Sequence, residues 1–345
     1  MNTAPARPAT RTDVARLAGT SVAVVSYVVN DGPRPVAAET RARVLDAIER
    51  TGYRPNHIAR ALAAGATGTY GLVVPDISNP FFAELAHEIE DALFDAGRVL
   101  LLGDSAGSRE RERELVGIFS RQRVDGVLIA SVDDAPDLAP LLAEGVPVVS
   151  LDRAVVGASV TIAIDNRAAA DAATAHLIGH GHRDLALVGG PEGLALARDR
   201  ERGWRDALAG AGIPVDERRV LRAEFTRRSG YEAAYGLLGR DDIPTAVFAA
   251  SDQQALGVLR AAYELGVRVP EDLAVITVDG TDDCRYTTPP LSTVRQPVEL
   301  IAASAVERML AVGRATSRSP ERLVVPADLV LRRSCGCPPA PEEIP

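Results

Sequence analysis

No lysine occurs in this chain: all 38 of its basic residues are arginine. Beside so much alanine and glycine, that absence reads as coding bias and carries no chemistry. Cysteine is scarce as well. Three residues in a chain of 345 exclude a disulfide scaffold. Cys335 and Cys337, which flank Gly336 beside a Pro-rich tail, read as an incidental pair. No apolar run reaches membrane-spanning length. Residues 1–11 are polar, rich in Pro and Ala, and lack the apolar core of a signal peptide, so a cytoplasmic protein with no membrane partner is expected. Aromatic residues make up only 4%, which makes the adjacent Phe81 and Phe82 conspicuous.

What remains is ordinary for a globular protein, with 46% hydrophobic and 25% charged residues, and the length calls for two or three domains. A formal charge of −9 argues against a chain that coats nucleic acid along its whole length. The charge is unevenly placed. Residues 1–62 hold nine Arg against five acids, a net +4 that leaves −13 for the rest. A basic head on an acidic body focuses phosphate attraction at one end.

The basic end reads as a DNA-reading head. Thr12 to Gly19 forms a short helix ending in a glycine that permits a tight turn. Ser21 to Asn30 forms a second helix with Ser21 as its N-cap. Two short helices joined around a glycine are the helix-turn-helix signature. Thr40 to Thr51 makes a third, with Val44, Leu45 and Ile48 on one face, and three such helices can close a small core. Ser21, Ser26 and Asn30 are short polar groups suited to phosphates, although Ser21 could serve as a cap alone. Arg11, and Arg34 at the tip of the loop 31–35, are candidate DNA contacts. Asn56 to Ala64 is a short Ala-rich hinge containing Ala59 and Leu62. A helix under ~12 residues is marginal alone, so this one is expected to fold only against DNA and its twin in a dimer.

After Gly65 to Gly68, apolar runs alternate with amphipathic helices. The runs are 70–74, 99–102, 126–130, 147–151, 160–164, 185–188, 246–250 and 273–278. They are short and rich in Val, Ile and Leu, as expected for strands buried on both faces of a parallel sheet. The helices include 82–95, 110–121, 168–178 and 254–265. Such alternation predicts doubly wound α/β architecture, and the number of units divides it into two subdomains meeting near Asp165-Asn166. A cleft between them, at the carboxyl ends of the strands, is the default small-molecule site.

The chain resembles the lactose repressor family of bacterial transcription regulators. In the head the resemblance rests on Asp13-Val14-Ala15, Ala18-Gly19, Ser21-Val22-Ala23, Val25-Ser26, Val29-Asn30, Thr40-Arg41 and Gly52-Tyr53-Arg54-Pro55-Asn56; in the core it rests on Gly71 to Glu84. It implies a homodimer whose core is similar to periplasmic sugar-binding proteins. A small effector in the cleft would change affinity for a pseudo-palindromic double-stranded operator. The implied organisation is a tail 1–9, a head 10–55, a hinge 56–66, one core subdomain from 67–166 plus 296–321, a second from 167–295 plus 322–335, and a tail 336–345.

The resemblance also assigns roles. Val22 and Ala23 match base-reading positions on the second helix, expected in the major groove. Both are apolar, which limits them to thymine methyls or to excluding a wrong base. Tyr27 stands where the family most often carries Arg, and Val24 where it carries Thr, which leaves the operator sequence unread. Leu62 matches the leucine wedge that inserts into the minor groove, against the alternative of a plain linker leucine. Phe81 matches a ring that stacks on the effector, while Phe82 serves the site or the core. Arg200, Phe225, Ser251, Asp252 and Asp279 match further effector positions, each expected at a strand's carboxyl end; Ser251 stands where the family carries Asn.

Two other classes compete with this reading. A transport-type solute receptor would suit the core alone but not the head. An enzyme is disfavoured because neither G-x-G-x-x-G nor G-x-x-x-x-G-K-[ST] occurs. His176, His180 and His182 form the one local histidine cluster, read as a polar loop after a helix, so no metal and no cofactor are expected.

Overall fold

The computed structural model describes residues 7, 9–29, 34–54, 65–312 and 320–338. They divide into two compact units, before and after Gly68.

The first unit is three helices. Asp13 closes the start of α1 (Arg11–Leu17), its Oδ2 accepting from the Thr10 backbone N and Oγ1 at 2.9 and 2.6 Å. Gly19, at φ +61°, makes the turn into α2 (Val22–Val29), and the two helices meet at 105°. Ser21 Oγ accepts from Val24 N at 3.3 Å, which bears out its capping role. α3 (Ala38–Thr51) begins two residues before the expected start. Val14, Ala15, Ala18, Val25, Val28, Val44, Ala47 and Tyr53 close the core. Leu45 does not join it and is 51% exposed. At about 100° per residue, Val44, Ala47 and Ile48 share a face that leaves Leu45 on its border.

The second unit holds two six-stranded sheets. The first lobe comprises β1 (Thr69–Val74), α4 (Pro80–Asp95), β2 (Val99–Asp104), α5 (Arg109–Gln122), β3 (Gly126–Ile129), α6 (Ala139–Ala143), β4 (Val148–Leu151) and β5 (Val160–Ile164). The second comprises α7 (Asn166–Gly179), β6 (Leu185–Gly189), α8 (Ala195–Gly210), β7 (Val220–Arg222), α9 (Arg227–Leu238), β8 (Ala246–Ala249), α10 (Asp252–Glu264), β9 (Ala274–Asp279), α11 (Asp283–Tyr286) and β10 (Ser292–Arg295). The chain then returns through α12 (Val298–Val312) and β11 (Glu321–Val325) to the first sheet, and ends on β12 (Asp328–Val330) in the second. The strand orders are β11-β5-β4-β3-β1-β2 and β12-β10-β9-β8-β6-β7, parallel throughout except for β12 against β10. Apolar clusters cover both faces of each sheet.

Several expectations are corrected. β11 pairs with β5, Val325 opposite Ile164, so residues 322–325 belong to the first lobe and the final crossing falls after Val325. Gly336 and Cys337 are not a free tail, because Cys337 packs against the second lobe's core. β2 lies at a sheet edge with Val99 and Leu102 exposed, not buried on both faces. α7 and α8 approach backbone to backbone: a Cβ on Gly203 would stand 2.1 Å from the Arg167 carbonyl oxygen. Among the described residues, no single helix is long and apolar enough to cross a membrane.

Candidate functional site

On the head, α2 buries Val25 and Val28 and leaves Val22, 43% exposed, and Ala23 open to solvent at its N-terminal end. Ser26 and Tyr27 are half-buried along the same helix. Arg34 is exposed. Arg11 Nε donates to the Tyr53 hydroxyl at 3.0 Å, tying α1 to the residue beyond α3, so this arginine has a structural task. Arg16, Arg43 and Arg50 pair with Asp13, Glu39 and Asp46 one turn away at 3.3–3.6 Å. Such exposed pairs are worth about 0–1 kcal/mol, so a phosphate competes easily for the guanidinium. Asn30, Ala59 and Leu62 lie outside the described residues.

In the core, a cavity of about 680 Å³ opens between the lobes, within the range of small-molecule sites. From the first lobe, Asn79 caps α4 by accepting from Phe81 N at 3.1 Å, and Pro80 takes the first helical position. This presents Phe81 and Phe82 at the helix start, their rings edge to face with centroids 5.1 Å apart. Phe81 is also part of the core. From the second lobe, the ring of Phe225 rests on Gly190, where a Cβ would come within 2.2 Å of Phe225 Cζ. Ser251 lines the cavity while its Oγ caps α10, accepting from Gln254 N at 3.2 Å.

Arg200 and Asp279 form the charged centre. Arg200 is 3% exposed; its Nε donates to Asn166 Oδ1 at 2.8 Å, and its Nη1 donates to the Ala250 carbonyl and stands 3.5 Å from Asp279 Oδ1. The guanidinium carbon lies 5.9 Å from the Phe225 ring centroid, a cation–π distance. Asp279 ends β9 at φ +125°, a backbone region that non-glycine residues adopt only when their surroundings impose it. Gln296 Nε2 donates to its Oδ1 at 3.0 Å. Burial pushes the Asp279 carboxyl up to about 7; Arg200 opposes the rise, while Asp252 and Asp152 add to it.

Phe81, Phe82, Arg200, Phe225, Ser251 and Asp279 thus line one cavity, and Asp252 does not. The Asp252 side chain turns into the lobe, Oδ2 accepting from Thr281 N and Oγ1 at 2.7 and 2.9 Å and Oδ1 from Thr293 Oγ1 at 3.2 Å. Arg200 is not at a strand end either; it lies inside α8, one and a half turns from its start. Its neighbours Arg198, Arg202 and Arg205 turn toward solvent, bonded to Asp134, Asp199, Glu201 and Glu217.

Sequence reasoning missed Asp152, Arg153 and Gln296, which also line the cavity. Asp152 follows β4 at φ +70°, and Arg153 is 6% exposed. Asp152 Oδ1 and Arg153 Nε are buried without a hydrogen-bond partner. Buried polar atoms are nearly always paired, so two orphans in one cavity wall point to a polar ligand. The available signal was position, a charged dipeptide at the end of the run 147–151.

A helix-turn-helix unit and a two-lobed α/β core around a cavity with aromatic walls and a charged centre define an effector-responsive DNA-binding regulator. Residues 10–56 match the bacterial regulatory proteins of the lacI family, and residues 174–335 match the periplasmic binding protein-like domain. The chain belongs to the lacI family and is a transcription regulator, not an enzyme. The HTH-type transcriptional repressor PurR of Photobacterium profundum is 34% identical over 331 residues, covering 94% of this chain and 98% of the relative. Among solved structures, the Lac repressor dimer bound to operator and the anti-inducer ONPF is 29% identical, covers 95% of this chain and 99% of its own, and superposes with a TM-score of 0.85. The transcriptional regulator CelR–cellobiose complex is 35% identical, covers 95% and 100%, and has a TM-score of 0.70.

Proposed function

We propose that this protein is a cytoplasmic repressor that binds a pseudo-palindromic operator as a homodimer, and that a hydroxyl-rich small molecule, a sugar or a close relative, sets its operator affinity from the core cavity. The observation that carries the effector class is the pair of unpartnered buried atoms, Asp152 Oδ1 and Arg153 Nε, in the same wall system as Arg200, Asp279 and three phenylalanine rings. A carboxylate oxygen and a guanidinium N–H without partners suit hydroxyls that donate and accept at once, while the rings suit the apolar face of a sugar ring. The cellobiose bound by CelR is a compound of that chemistry.

On the DNA side, Val22 and Ala23 are assigned to thymine methyls or to steric exclusion, and Ser21, Ser26, Tyr27, Asn30 and Arg34 to backbone positioning. Ala59 and Leu62 are assigned to the minor groove, with Leu62 as the wedge. Leu62→Ala should then weaken operator binding and reduce DNA bending while leaving effector binding alone; equal bend angles would remove the wedge.

The experiment for the main reading is a thermal-shift screen of the full chain against sugars, sugar phosphates and purines, followed by calorimetry with the hit. The proposal expects a sugar or sugar phosphate to raise the melting midpoint and Asp279→Ala to abolish the shift. A purine hit with no sugar response would overturn the effector class.

A further inference from the structure

Two features that the sequence left unconnected, the histidine cluster and the Cys335/Cys337 pair, meet at one place on the second lobe. His176 lies in the last turn of α7 and His180 follows that helix, so the spacing of four sets both rings on one face, with centroids 4.6 Å apart. The chain returns there from β12 through a single 3-10 turn, Arg333–Cys335, which ends at Gly336 with φ +92°. That conformation favours glycine, and it turns Cys337 back onto the helix end. Cys337 Sγ lies 3.6 Å from His176 Nε2 and 3.4 Å from His180 Nε2, and Cys335 Sγ lies 3.3 Å from His176 Nε2.

We propose that His176, His180, Cys337 and Cys335 form a structural zinc site that fastens the C-terminal turn to α7. The distances are the argument. Zinc bound at about 2.3 Å to sulfur and 2.0–2.1 Å to imidazole nitrogen in a tetrahedron holds S and N roughly 3.5 Å apart. The three S···N separations here scatter around that edge length before any ion is bound. The donor chemistry agrees, because two imidazoles and two thiols select a borderline-soft divalent cation over calcium or magnesium. The donor atoms of His176, His180 and Cys337 all lie within 4.8 Å of one another, and Cys335, outside that group, would supply the fourth ligand by turning its side chain, which completes the structural and not the catalytic pattern. His182 takes no part: its Nδ1 stands 3.0 Å from Thr245 Oγ1, on the other side of the loop. Cys335 is buried, with Ser292 Oγ 3.1 Å and the Arg332 carbonyl 3.4 Å from its sulfur, contacts that it would give up on binding the ion. The cavity between the lobes contains none of these residues.

The test uses untagged full-length protein, reduced and purified without chelator. Elemental analysis should find one zinc per chain. After zinc removal, Co²⁺ titration should give a thiolate-to-cobalt charge-transfer band together with the intense visible absorption of a tetrahedral ion. His180→Ala and Cys337→Ser, at positions that are not deeply buried, should each abolish the band and weaken zinc binding by roughly 100-fold or more, beyond the usual effect of a mutated outer-shell partner. His182→Ala should bind as the parent does. Zinc should raise the melting midpoint of the parent and not of the two ligand variants. Cobalt bound without a thiolate band, parent-like binding by Cys337→Ser, or no binding at all would each overturn the site.

Discussion

At the scale of single residues, the account rests on Asp279. Its carboxylate sits beside Arg200, takes a hydrogen bond from Gln296 and is pushed up to about 7 by burial. An effector hydroxyl donates best to the ionised form. Effector affinity should therefore rise from about pH 6 to pH 8 with the loss of one proton, and calorimetry on Asp279→Asn should show that slope flattened. The stability linkage has the opposite direction. Between the ordinary 3.8 and about 7 the folded chain holds a proton that the unfolded chain has released, so this group's contribution to stability falls as pH rises through that window. Gly190 gives a second test. Adding a methyl there must displace the Phe225 ring toward the ligand space, so Gly190→Ala should weaken effector binding about tenfold, some 1.4 kcal/mol, and leave operator affinity without effector unchanged. Asp252→Ala should act differently. It strands the buried donors of Thr281 and Thr293 and should cost about 1–3 kcal/mol or more in urea unfolding. An unchanged midpoint would mean that Asp252 is not the support described.

At the scale of elements, the lobes meet through Asp134, in the loop between β3 and α6. Its Oδ2 accepts from Arg198 at 3.1 Å and its Oδ1 accepts from Ala195 N at 3.3 Å, both at the start of α8, while Arg153 stands 3.5 Å away. This carboxylate bridges the two lobes and connects to a cavity-lining arginine. Asp134→Ala should therefore favour separated lobes and weaken effector binding, with a faster dissociation rate in stopped-flow mixing; an unchanged rate would remove the bridge from the account. The same elements show what sequence could and could not reveal. Eight strands, β1 to β6, β8 and β9, were legible as Val/Ile/Leu runs, all but the edge strand β2 because a strand buried on both faces writes its burial directly into composition. β7, β10, β11 and β12 were not, since three to five residues of mixed polarity carry no apolar run, and α8 was hidden beneath its cluster of arginines. Arg200 and Asp279 could be picked out by resemblance. Their mutual contact exists only once α8 and β9 come together inside the second lobe, and the unpartnered Asp152 Oδ1 and Arg153 Nε are visible only in the folded core. Asp252 was misjudged because adjacency to Ser251 does not reveal which way a side chain turns.

At the scale of the whole molecule, a head of +4 and a remainder of −13 direct polyanion binding to one end. Operator affinity should fall steeply with salt, with a slope reflecting roughly six to ten phosphate contacts per dimer, and a chain lacking residues 1–62 should show no operator binding. The central claim is that occupancy of the core cavity sets the affinity of the head. Its most direct test is an operator titration of the full-length protein at fixed salt, with and without saturating effector from the thermal-shift screen, beside the same pair of titrations on Asp279→Ala. The account predicts that effector changes the parent's operator Kd by about 5–150-fold, and that operator changes effector affinity by the same factor. The variant should bind operator like the effector-free parent and show no response. An operator Kd indifferent to a ligand that demonstrably fills the cavity would contradict the account.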